Sequence, residues 1–188
     1  MKKQIILAAL LTASPAFAHV GADGAQHHFV AGFSHPFGGV DHCLAMIAVG
    51  LVAAFLGGKA WGALPGAFLA AMLGGFVLGT TKVVEIPAYE AMIVASVIGF
   101  GLALLVAKPL PLMAGAGITA LFGLAHGFAH GVEGALTPGY AAGFLLATAI
   151  LHGVGLAIGY GVARFEQPML YRIAGGGIAL VGVVLVAM

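Results

Sequence analysis

The chain has 188 residues, of which 62% are apolar and 7% charged, whereas a soluble domain is typically about a quarter charged. Its 31 glycines lack the three-residue period of collagen, and a net charge of +1 leaves no basic stripe for nucleic acid. An ordinary cytosolic enzyme, a disordered chain and a nucleic-acid binder are excluded, which leaves a polytopic membrane protein whose eight histidines outnumber either class of charged residue.

Residues 1–18 read as an address. Lys2-Lys3 precede the apolar run from Ile5 to Ala13, and Ala16-Phe17-Ala18 is an Ala-x-Ala site. A basic start, a short apolar run and small residues at a cleavage point make a secretory signal peptide. The alternative, an uncleaved first transmembrane helix, has a run short for a hydrocarbon core of about 30 Å. Cleavage leaves His19 at a new N-terminus outside the cytoplasm. The stretch 19–34 then forms an external tail with His19, His27 and His28 and no Lys or Arg. It is either a solvated linker or a device that collects metal ions, with the free α-amine beside the His19 imidazole as a chelate. The single Cys43 permits no intramolecular disulfide.

Residues 35–188 are expected to form an all-α bundle of six transmembrane helices. Apolar runs lie near 36–56, 62–80, 89–107, 110–131, 139–163 and 171–187, and a helix needs about 20 apolar residues to cross the hydrocarbon. Threaded from an outside N-terminus, these runs place Lys59, Lys108, Arg164 and Arg172 inside and only Lys82 outside. That distribution obeys the positive-inside rule. Glycines recur within the runs, as in Gly74-Gly75 and Gly175-Gly176-Gly177. Small residues let helix backbones approach closely in lipid. Three runs precede Lys108 and three follow it, so the halves have opposite orientations, as in inverted-repeat transporters.

Ionisable groups inside a span are costly and point to function. The first span opens with His35-Pro36-Phe37-Gly38-Gly39-Val40-Asp41-His42-Cys43 and continues to Met46. Ser34 or His35 can cap the helix, and Pro36 suits its first turn. On a regular helix His35 and His42 share a face, about 10.5 Å apart along the axis. Asp41 joins them only if Gly38-Gly39 distorts the helix start. The fourth span ends in His126-Gly127-Phe128-Ala129-His130-Gly131-Val132-Glu133. His126 and His130 have the i, i+4 spacing by which two imidazoles on one turn bind one metal, and Glu133 continues the stripe. Both motifs fall at the external ends of their spans. His152 lies deep in the fifth span. It is either a station further along a path or a buried histidine bonded to a backbone carbonyl. Cys43, Met46, Met72 and Met92 offer soft sulfur, or simply fill space.

The pattern His-Pro-x-Gly-Gly-x-Asp-His-x3-Met at His35 to Met46 resembles the HupE/UreJ family. So does His-Gly-x-Ala-His-Gly-x-Glu at His126 to Glu133, where family members often carry Phe in place of Ala125. The resemblance covers nearly the whole chain. It implies a nickel permease, or a cobalt one, of the bacterial inner membrane, linked to hydrogenase or urease maturation. On that basis His35, Asp41, His42, His126, His130, Glu133 and His152 are expected to handle the metal. No permanently bound cofactor and no enzymatic activity are expected; the partners are the lipid bilayer and the transported Ni2+, Co2+ or Zn2+, since imidazole and carboxylate suit all three.

The sequence contains no P-loop Gly-x4-Gly-Lys-Ser/Thr, so the membrane potential is the expected energy source. It supplies about 4.6 kcal/mol for a dication per 100 mV. Two other readings compete: an intramembrane metal-dependent hydrolase with Asp41 or Glu133 activating water, and a metal sensor that transports nothing. The hydrolase lacks a His-Glu-x-x-His motif.

Overall fold

A computed structural model describes residues 25–187, which contain helices and no strand. Residues 1–18, expected as a signal peptide, His19 and the side chain of His27 lie outside what is described. Helix α1 (Ala25–Ser34) is followed by a 3-10 turn (His35–Gly38) and then by α2 (Val40–Leu56), α3 (Ala60–Thr81), α4 (Tyr89–Val106), α5 (Leu112–Glu133), α6 (Pro138–Arg164) and α7 (Pro168–Val186). Helices α3 to α7 are each long and apolar enough to cross a membrane. Even α4, with 18 residues, is about 27 Å long at 1.5 Å per residue.

The remaining crossing is broken. The expected helix from residue 36 does not run straight, because α2 is bent 85° from the helical stretch before it. Gly39 is extended (φ −117°, ψ 128°) and serves as the N-cap of α2. One turn in, the His42 backbone N–H donates to the Asp41 carboxylate at 2.7 Å. That bond satisfies one of the amides a helix start leaves open, and the carboxylate suits the positive end of the helix dipole. Residues 25–34, part of the stretch expected as an external tail, form α1 and pack on α6. The contact is close: a Cβ on Gly143 would meet the Phe29 carbonyl, and one on Gly32 the Tyr140 carbonyl.

Local chemistry sets the other boundaries. Gly57 and Gly58 both take positive φ (72° and 52°), a region costly for other residues, and turn the chain between α2 and α3. Thr137 caps α6 by accepting from the Tyr140 N–H at 3.2 Å, and Pro138 and Pro168 occupy the first turns of α6 and α7, where a missing N–H costs nothing. Leu146, Ile150, Val154 and Ile158 form an exposed stripe along α6. Their i, i+4 spacing makes one continuous apolar face, suited to lipid.

Helix pairing interleaves the two halves of the chain. Along α3 and α5 the contacts climb in step. A Cβ on Gly123, Gly127 or Gly131 would run into the backbone carbonyl of Phe68, Met72 or Phe76, respectively. These helices are therefore parallel, as are α2 and α6, where Met46 meets Thr148 and Ala54 meets Gly159. Helices α4 and α7 run antiparallel, with Gly101 against Ala179 and Gly182 against Ile98. Each pair takes one helix from either side of Lys108, the arrangement expected of two interlocked three-helix units of opposite orientation.

Without a hydrophobic drive between helices in lipid, such close approach supplies much of the packing energy. Gly127→Ala should force α3 and α5 apart and destabilise the protein by about 1–3 kcal/mol. Gly117→Ala, where the added methyl meets nothing within 4 Å, should be neutral or mildly stabilising. Thermal unfolding in detergent, followed by size-exclusion profile, checks the contrast.

Candidate metal centre

The break at Gly39 positions the first motif. His35 stands in the 3-10 turn and His42 in the first turn of α2, and their ring centroids are 6.4 Å apart, closer than a continuous helix would hold them. Gly39 leaves the room this needs, since a Cβ there would press on the Asp41 carboxylate and His42 Nδ1. His42 Nδ1 lies 3.0 Å from Asp41 Oδ1. With Nδ1–H donating to a carboxylate, the lone pair is directed to Nε2, the arrangement that orients metal-binding imidazoles. His42 Nε2 is buried and has no hydrogen-bond partner among the described residues. The Cys43 thiol donates to the Pro36 carbonyl at 3.3 Å, tying the turn to α2.

Helix α5 brings the second motif against the first. His126 and His130 are fully buried. The His126 ring centroid is 4.8 Å from that of His42. His130 is 4.7 Å from His35 and 5.5 Å from His42. At the rim, His35 Nε2 sits 3.2 Å from Glu133 Oε2, with the Glu133 side chain half exposed. Asp41, His42 and Glu133 share a cavity of about 280 Å3 with Tyr89, Glu90, Ile93, Val94 and Ala129.

Side chains outside both motifs orient these rings. Ser96 donates its one hydroxyl proton to the Ile93 carbonyl at 2.6 Å and lies 3.1 Å from His126 Nε2. With that proton spent, Ser96 accepts from Nε2–H, which leaves the lone pair on His126 Nδ1. Nδ1 is buried without a partner. His130 stacks on Phe144 at 4.7 Å with the rings 2° from parallel, and neither of its nitrogens has a partner. Two of the oriented rings thus keep a free lone pair in the interior. Among the described residues, no three His, Cys, Asp or Glu side chains converge on one ion position; the rings pack edge to face.

His35, Asp41, His42, His126, His130 and Glu133 are therefore brought together from the 3-10 turn, α2 and α5. His152 is not among them. It is buried on α6, and the ring of Phe68 packs against both it and His126, with centroids 5.1 and 5.3 Å away. Met46 is also fully buried and receives the Thr148 hydroxyl at 3.3 Å. Partly buried His28 lies on α1. Sequence reasoning missed Glu90, Ser96 and Phe68. Glu90 follows a turn and reads as a loop charge, and a lone Ser or Phe in an apolar run carries no spacing signal.

The comparisons with known proteins agree with the two motifs. A family model described as HupE / UreJ protein matches residues 7–185. Protein HupE of Rhizobium leguminosarum bv. viciae is 43% identical over 186 residues, spanning 95% of this chain and 94% of that protein. No solved structure matches the chain. With a family model covering almost its full length and a relative this similar from end to end, the chain belongs to the HupE/UreJ family.

Proposed function

We propose that this protein carries divalent transition-metal ions, Ni2+ first among them, inward across the bacterial inner membrane by secondary transport. The observation that carries this reading is the clustering of His35, His42, His126 and His130 with Asp41 and Glu133 at one end of a membrane bundle, beside a cavity. Ionisable groups are retained within a span where they serve a path, and imidazole with carboxylate suits borderline divalent ions. The mature N-terminus and this cavity face the periplasm under the same reading, with Lys59, Lys108, Arg164 and Arg172 on the cytoplasmic side.

Each group has a task. Asp41, Glu90 and Glu133 draw the cation into the cavity and offset its charge, which cannot otherwise be removed from water cheaply. His35 and His42 receive it, and His126 and His130 take it below the rim. Asp41 also holds the His42 ring, and Ser96 holds that of His126. His152 relays the ion inward. The chain's own energy requirement is met by the membrane potential, worth about 4.6 kcal/mol for a dication at 100 mV. Cells with this role would couple it to hydrogenase or urease maturation.

Radiolabelled uptake into proteoliposomes, run with nickel, cobalt and zinc, tests the reading. His42→Ala and His130→Ala should each lower the initial rate at low nickel by about 10–100-fold; near-normal uptake in both would sink the site assignment. Ser96→Ala strands the His126 N–H and should cost about tenfold in apparent affinity, seen as a raised KM at little-changed maximal rate. Imposing 100 mV, inside negative, should raise the equilibrium accumulation ratio by about three orders of magnitude. A ratio insensitive to potential would rule out charge-carrying transport.

A further inference from the structure

Beside Phe68 lies a second group of ligand-type side chains outside the outer histidine cluster. Met46 on α2, Met72 on α3, and Thr148 and His152 on α6 are all buried, with exposures of 0%, 0%, 0% and 1%. The Thr148 hydroxyl lies 3.3 Å from Met46 Sδ and 3.7 Å from Met72 Sδ. Thr148 and His152 are one turn apart on α6, and so are Phe68 and Met72 on α3; i, i+4 pairs share a face. The Phe68 ring meets the His152 ring edge-on at 5.1 Å, so these two faces meet at both levels. Both nitrogens of His152 are buried without a hydrogen-bond partner among the described residues. Leaving a buried polar group unpaired is costly, and native proteins do so sparingly. A packing role for this ring would have placed a carbonyl or hydroxyl against it.

We propose that Met46, Met72, Thr148 and His152 form an inner cation station of thioether, hydroxyl and imidazole character, beginning one helical turn beyond His42 with Met46, and with Phe68 against its His152 end. It rests on the transport reading for its place on a path, and on its own donor set for its chemistry. Thioether sulfur is a soft ligand, and hard ions such as Mg2+ prefer oxygen. The station therefore takes borderline ions such as Ni2+ or Co2+ and rejects hard divalent ions that entered by the carboxylates of the outer cavity. Its donors are all neutral when imidazole is neutral, so an ion leaves it for the inner side without breaking a charge pair.

The test uses the full chain reconstituted in vesicles with Ni2+ as the probe. A Cys43→Ala background removes the only thiol, and Met46→Leu/Met72→Leu is a volume-conserving pair that such cores tolerate. X-ray absorption at the nickel edge should show sulfur around bound nickel in the background protein and none in the double variant. Nickel uptake should fall about tenfold in the double variant, and Thr148→Val should weaken uptake in the same direction. Absence of sulfur around nickel in the background protein, or double-variant uptake within twofold of its parent, overturns the inner station. If no version takes up nickel, the transport reading fails, while sulfur scattering that vanishes with the methionines still establishes the station as a binding site. Should the double variant not fold, the single Met46→Leu and Met72→Leu variants are read by the same two measurements.

Discussion

The contact between glycine Cα atoms and backbone carbonyls is the interaction on which the rest of the bundle depends. In lipid, burying an apolar side chain gains little over leaving it in hydrocarbon, so helices associate where their backbones fit closely. Gly123, Gly127 and Gly131 supply that fit on α5 and take the carbonyls of Phe68, Met72 and Phe76 on α3. The register this sets has a chemical consequence. With their carbonyls committed to α5, Phe68 and Met72 hold their side chains in the fully buried interior, where they meet His126, His152 and Thr148. The depth of the sulfur and of the aromatic ring is thus a by-product of the glycine ladder.

A second constraint acts at the histidine-bearing end of the bundle. A continuous helix through His35 to His42 would hold the two imidazoles about 10.5 Å apart along its axis. Extended Gly39 and the 3-10 turn fold that segment back, so that both rings reach His130. Broken helices are tolerated at membrane depth where the freed backbone groups find partners in the protein. Here Asp41 supplies one, and α1 covers the turn by packing on α6. The same carboxylate that steadies the helix start also orients His42, so one residue links backbone stability to the direction of a lone pair.

Much of this was legible in the chain before any coordinates. The spans from 62–80 onward were bounded by Gly, Pro and charge, and they appear at Ala60–Thr81, Tyr89–Val106, Leu112–Glu133, Pro138–Arg164 and Pro168–Val186. His126, His130 and Glu133 showed their common face through helical spacing alone. Asp41 and His42 are neighbours in sequence, and only the distortion at Gly38-Gly39, itself signalled by two glycines, lets them bond. What spacing could not convey was long-range. Ser96 lies thirty positions from His126, and Thr148 lies 102 from Met46; such contacts depend on which helices pair, and glycine content alone does not name the partner. The helix at Ala25–Ser34 escaped for a related reason, because its polar start resembles a linker until Gly143 and Tyr140 are there to receive it.

The interleaved pairing also bears on how the protein is made. Spans enter the membrane in order from the ribosome, yet α3 finds its parallel partner only when α5 arrives, and α2 only when α6 does. Until then Gly50, Gly75 and Gly79 face lipid, where a missing side chain forgoes dispersion contacts and gains nothing. Neither half can complete its close glycine pairings alone. Assembly is committed late, because the histidines of the first span and of the fourth come together only once α5 and α6 have packed onto α3 and α2.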